Sequence, residues 1–199
     1  MRAAGRDKAM GERRAGVAAE RSRTPREPDT VDFAIAQWGR NWPGLDVSPL
    51  GVLGRLHRTY LLYSQQLNDV FEKHGINLAS FDVLATLRRS GPPYQMASRE
   101  LALASLVSTG GVTLRVDRLE AAGLVERERD RDDRRVVYVR LTDAGLEKIH
   151  TVAREHFANE ARLLEGLSAE ERSSLGELLS TLERSIVSAG GAEPESDSA

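Results

Sequence analysis

Residues 108–141 read S-T-G-G-V-T-L-R-V-D-R-L-E-A-A-G-L-V-E-R-E-R-D-R-D-D-R-R-V-V-Y-V-R-L. Val112, Val116 and Leu119 recur at the spacing of one helical face, and Gly123 closes the run, so a helix capped by Ser108 is predicted over 108–122. Val137, Val139 and Leu141 then alternate with Val136, Tyr138 and Arg140, the period of a strand. Strands are expected at Val125–Arg129 and Val136–Leu141. The loop between them, Asp130–Arg135, alternates acid and base and holds no glycine, which excludes a tight two-residue turn. A helix followed at once by a basic hairpin is the pattern of a winged helix-turn-helix. Such a module fills the major groove of duplex DNA with the helix and reaches an adjacent minor groove with the wing.

The flanks are helical. Upstream, Asn77 is placed to cap a helix ending at Arg89 with Phe81, Leu84 and Leu87 inward, and 98–105 is a short helix with Leu101 inward. A long helix from Pro49 to His74 carries Leu53, Leu56, Tyr60, Tyr63, Leu67 and Val70 in a heptad stripe. A further helix spans Val31–Asn41 and ends before Pro43. Downstream, Thr142 caps a helix to about Leu164. Ser168 and Glu171 form a capping box for a last helix with Leu175, Leu178, Leu182 and Ile186 on one face. The expected fold is mainly α with a small β-wing. Residues 77–141 form the winged module. Residues 49–76 and 142–189 form a helical dimerisation region, since apolar helix faces at both chain ends favour a homodimer. Residues 29–48 add an extra helix and linker. Residues 1–28 read as a disordered basic tail and 190–199 as a disordered acidic one.

Aromatics make up 5% of 199 residues against 40% hydrophobic, so the core is aliphatic. The net charge of −2 does not itself point to nucleic acid, but its distribution does. Residues 88–140 hold 11 Lys/Arg against 8 Asp/Glu, and residues 141–199 hold 5 against 12, which confines attraction for phosphate to one surface. The absence of cysteine excludes disulfides, thiolate metal sites and thiol chemistry. No apolar run approaches the ~20 residues that span a bilayer, and no apolar stretch follows the Arg-rich start, so a cytoplasmic protein with no membrane partner is expected. There is no H-E-x-x-H, no phosphate-binding glycine loop and no ligand pattern among His57, His74, His150 and His156, so no enzyme, metal site or cofactor is expected.

The side chains of helix 108–122 not needed for the core are Ser108, Thr109, Thr113, Arg115 and Arg118, with Gly110 and Gly111 expected in its first turn. Small hydroxyls and helix N-terminal N–H groups suit phosphates and base edges, and glycine permits close approach. Arg115 is the candidate for a bidentate guanine contact. Arg131, Arg134 and Arg135 would enter the minor groove. Asp133 and the other loop aspartates would fix their pose, and Asp117 would pair with a wing arginine. A winged domain used only as a protein–protein adapter would need neither these arginines nor a small polar helix start.

Asp82 and Arg89 are seven residues apart on one helix face. With Arg127 at the base of the first wing strand and Trp38 in the extra helix, they would make a site for a flat anion. Solvated positions for Asp82 and Arg89, and a core position for Trp38, are the alternative.

The run G-G-V-T, V-D-R-L-E-A-A-G-L-V-E-R, D-R-D-D-R-R and V-R-L-T-D-A-G resembles the MarR family of transcription regulators over residues 50–188. The resemblance implies a homodimer with helix 108–122 in the major groove, the wing in the minor groove and the terminal helices at the dimer interface. Leu114 departs from it, since many relatives carry a basic residue there. Q-W-G-R-N-W-P-G-L-D, S-P-L and F-D-V-L-A-T-L-R-R-S-G resemble the urate-responsive branch. That implies a purine site at Trp38, Asp82, Arg89 and Arg127, with urate or another small anion as effector and DNA binding repressive until the ligand arrives. In this reading Asp82 pairs with Arg127 until the anion separates them. Two-fold symmetry implies a pseudo-palindromic site with half-sites about 10 bp apart.

Overall fold

The computed structural model describes residues 27–105 and 111–190. Most of both expected tails, and Ser108 and Thr109, lie outside them. Seven helices and three strands are present among the described residues. The chain divides into two compact units, Met1–Tyr60 and Leu61–Ala199.

In the first unit, helix α1 (Thr30–Asn41) starts on a capping box. Asp29 accepts from the N–H groups of Val31 and Asp32 at 2.8 and 3.0 Å, and Asp32 accepts from Asp29 N–H at 2.9 Å. Arg55, on helix α2 (Leu50–Lys73), donates to Asp29 at 2.9 Å and to Asp32 at 2.7 Å. The carboxylates that begin α1 therefore also tie it to α2. Val31 is the buried residue of α1, whereas Phe33, Trp38 and Trp42 are exposed.

The second unit holds the core. Helix α3 (Leu78–Arg89), capped by Asn77 accepting from Ser80 N–H at 2.8 Å, packs most extensively against four elements. These are α4 (Ser98–Ala104), α5 (Val112–Ala121), α6 (Asp143–Leu163) and strand β3 (Val137–Leu141). Phe81, Leu84 and Leu87 meet Phe71, Leu101, Val116, Leu119, Val139 and Ile149 there. Strand β2 (Val125–Arg129) pairs antiparallel with β3, from Val125 opposite Leu141 to Arg129 opposite Val137.

Two features differ from expectation. A third strand, β1 (Gln95–Ala97), pairs antiparallel with β3, giving the order β1-β3-β2. Three half-buried residues show no alternation for a sequence reading to detect. Helix α5 begins at Val112 rather than 108, and Gly111 is its N-cap at φ +79°. That left-handed backbone, open to glycine, cannot belong to the helix's first turn.

Thr142 caps α6, accepting from Gly145 N–H at 3.0 Å. Ser168 and Glu171 exchange the two capping-box bonds, at 2.8 and 3.2 Å, that open helix α7 (Ala169–Gly190). No residue of α7 is buried. Among the described residues no helix is long and apolar enough to cross a membrane.

Candidate nucleic-acid interface

Helix α5 buries Val112, Val116 and Leu119 and turns Thr113, Leu114, Asp117 and Arg118 to solvent, with Arg115 half-buried at the margin. Of the expected reading residues, Thr113, Arg115 and Arg118 thus lie on or beside the face the core does not use, and Gly111 stands immediately before them.

The wing loop is built by its aspartates. Asp130 Oδ1 accepts from the N–H groups of Asp132 and Asp133 at 2.9 and 2.8 Å. Asp133 accepts from Arg135 N–H at 3.0 Å. The two backbone N–H bonds hold Asp130 below the usual carboxylate range. Aspartates were expected to clamp the guanidinium groups, and they hold the turn instead. A backbone N–H two or three residues on lies closer than the end of a flexible arginine. Arg131, Arg134 and Arg135 are exposed, and among the described residues no carboxylate pairs with them.

Arg127 locks helix to wing. Its Nη2 donates to Asp117 at 2.5 Å and its Nη1 to Glu120 at 2.5 Å. Its backbone N–H reaches the second oxygen of Glu120 at 3.1 Å. Desolvation works against the charge of Arg127, but the bonds to Asp117 and Glu120 outweigh it and raise its pKa. Asp117 does pair with an arginine of the wing, at the base of β2 rather than in the loop. Glu120 was not anticipated. Its signal is its place three residues after Asp117, on the same side of α5. A cavity of about 800 Å³ opens beside this lock, lined by Ser98, Arg99, Thr113, Asp117, Arg127 and Arg135 among others.

The expected ion pair between Asp82 and Arg127 is not formed, because Asp117 and Glu120 occupy both ends of the guanidinium. Asp82 is buried in α3 at 4% exposure, so it is not a solvated helix residue. Arg89, at the exposed end of α3, donates to the carbonyl of Ala104. Trp38 belongs to the first unit, where it is exposed and stacks at a tilt on Trp42 with ring centres 6.4 Å apart, so it is not a core residue.

The MarR family profile matches residues 74–136, from the end of α2 through the wing loop. The HTH-type transcriptional regulator PecS of Dickeya dadantii is 40% identical over 157 residues, 79% of this chain and 95% of PecS. The chain belongs to the MarR family. Two solved MarR-family structures share its fold. AbsC of Streptomyces coelicolor is 25% identical, with a TM-score of 0.64 over 71% of this chain and 96% of AbsC. The C80S variant of E. coli MarR, complexed with operator DNA, is 29% identical, with a TM-score of 0.58 over 67% of this chain and 93% of that one. As a winged-helix transcription regulator of this family, the chain carries α5 and the β2–β3 wing in the part that the family profile covers. Among the described residues no cluster of three or more His, Asp or Glu is placed to hold a metal.

Proposed function

We propose that this MarR-family chain is a homodimeric repressor that a small anion releases from a pseudo-palindromic operator. The observation that carries the reading is a pairing of two surfaces on one module. One is the outward row of α5. The other is a wing loop in which Asp130 and Asp133 bind the loop's own backbone, with three exposed arginines left for DNA. Thr113, Arg115 and Arg118, with Gly111 at the helix start and Ser108 and Thr109 shortly before it in the sequence, contact base edges and phosphates in the major groove. Arg131, Arg134 and Arg135 enter the minor groove, while Asp133 sets the loop and Asp117 holds the wing through Arg127. The operator complex of E. coli MarR supports this reading.

The effector is an anion of the size of urate, drawn by the cations Arg89 and Arg127, with Asp82 buried on the helix that carries Arg89. The carboxylates it competes with are those of Asp117 and Glu120. Taking Arg127 from them loosens α5 from β2. A ligand that binds the loosened state ~1.4 kcal/mol better lowers DNA affinity tenfold.

The test is fluorescence anisotropy on duplex DNA from upstream of the coding region, with and without urate, across a salt series. Tight binding with a steep salt slope, lost on adding urate, is expected. Binding indifferent to urate removes that ligand and keeps the regulator. Binding without salt dependence overturns the DNA reading in favour of an adapter.

A further inference from the structure

We infer that Leu114 is a specificity residue of α5 that packs on the C5 methyl of a thymine in the major groove. The inference rests on the proposed placing of α5 in that groove.

Leu114 is 53% exposed on a helix that buries Val112, Val116 and Leu119. It lies two residues from both Val112 and Val116, about 200° around the helix from each, so no rotation of α5 brings it into the core. Its helical neighbours one turn on are Asp117 and Arg118, both exposed. The residue three before it is Gly111, where an added Cβ would meet no atom of the described residues within 4 Å. Among the described residues of α5, the neighbours of Leu114 on the outward face are polar or glycine, so it extends no apolar row along its own helix, unlike the leucines of α7.

Its position gives it a partner. It is the third residue of α5, in the first turn, and recognition helices set their N-terminal residues against base edges. Side chains on a helix lean toward its N-terminus, so Leu114 leans toward Gly111 and the helix start. A major groove offers an isolated leucine one apolar group, the methyl of thymine. Threonine or arginine at 114 would read polar edges or phosphate. Leucine reads none of these and leaves any polar group beneath it unsatisfied. The geometry thus favours T·A over C·G at one step of each half-site, beside the base that Arg115 reads.

The test replaces single thymines by deoxyuridine, which removes the methyl and keeps the base pair. A duplex is selected from a randomised pool with the full-length chain, and anisotropy is measured on each uridine-for-thymine duplex. For the unaltered chain, one thymine per half-site should be sensitive. Losing it should weaken binding roughly three- to tenfold, as expected for one buried methyl. Leu114→Ala should bind the thymine duplex about that much more weakly, with the same salt slope and the same melting behaviour. It should then be indifferent to uridine at that step. If no thymine is sensitive, or if the penalty is undiminished in Leu114→Ala, the inference is overturned. If no duplex is selected at all, the DNA reading beneath it fails instead.

Discussion

At Gly145 the chain has room for a hydrogen and nothing larger, since a Cβ there would lie 1.9 Å from the carbonyl oxygen of Leu124. That carbonyl already accepts the N–H of Thr142 at 3.2 Å, which fixes the end of the wing against the start of α6. Backbone cannot swing aside as a side chain can. Gly145→Ala should therefore cost at least ~1–3 kcal/mol, read as a lower urea midpoint at unchanged slope. Gly39, inside α1 with nothing among the described residues within 4 Å of its would-be Cβ, predicts the opposite sign. There alanine should gain up to about 1 kcal/mol of helix propensity. Arg127 is a second decisive residue. It holds the carboxylates of Asp117 and Glu120 and the backbone carbonyl of Thr113 on α5. In Arg127→Gln Asp117 loses its partner, Glu120 keeps only the backbone N–H of residue 127, and α5 loses the side-chain part of its tie to β2. DNA affinity should fall about tenfold or more, while the slope against salt stays as in the unaltered chain, because no phosphate contact is removed. A lower slope in that variant would instead make Arg127 a phosphate ligand.

Helix α6 carries a histidine among aromatic rings. His156 is buried against Phe71, Phe81 and Phe157, with ring centres 4.6–5.4 Å apart. Among the described residues its Nδ1 has no hydrogen-bond partner, and Glu160 lies 3.4 Å from Nε2. Burial pushes the imidazole below its ordinary 6.5, and the Glu160 carboxylate opposes that only in part. Above the ordinary value both folded and unfolded chains are neutral at this site, and its contribution is intact. As pH falls through 6.5 the unfolded chain takes up a proton that the folded one resists, so stability is lost down to the folded value. His156→Phe should remove that loss. The difference in urea midpoint between the two proteins should be flat above about pH 7 and grow in favour of the variant toward pH 5. A difference independent of pH would refute burial as the cause. None of this was legible in the sequence, where His156 was one of four scattered histidines. What was legible had a local cause. Asn77, Thr142 and the Ser168–Glu171 box announce helix starts because a side chain must meet an orphan N–H within three residues. Val137, Val139 and Leu141 announce a strand by alternation. What was missed depends on distant partners. β1 is a strand only because β3 is beside it, and Glu120 is a site residue only because Arg127 returns to it across a turn. The buried state of Asp82 likewise comes from the elements packed over α3.

On the scale of the whole molecule, the apolar surface left uncovered bears on assembly. Leu175, Leu178, Leu179, Ile186 and Val187 are all exposed along α7, and Phe157 and Leu163 of α6 and its C-cap Leu164 are exposed as well. Single exposed leucines need no explanation, but a row along a 22-residue helix with no buried residue does. In the proposed homodimer a second copy of the chain would cover this row, so that each copy presents one α5 to one half-site. The tie between copies would also set DNA affinity. Once one half-site is bound, the linked second α5 acts at a high effective concentration, worth about a hundredfold or more. Leu178→Glu with Ile186→Glu places two carboxylates in that row without touching the buried core. The variant should scatter light as one chain where the unaltered protein scatters as two, with its thermal transition moved but still cooperative. Its affinity for the operator should fall at least a hundredfold, while affinity for a single half-site stays unchanged. A variant still of dimer mass and full affinity would move the interface off α7. A monomeric variant with full operator affinity would mean that the two half-sites are bound independently, and the two-fold geometry would then play no part in recognition.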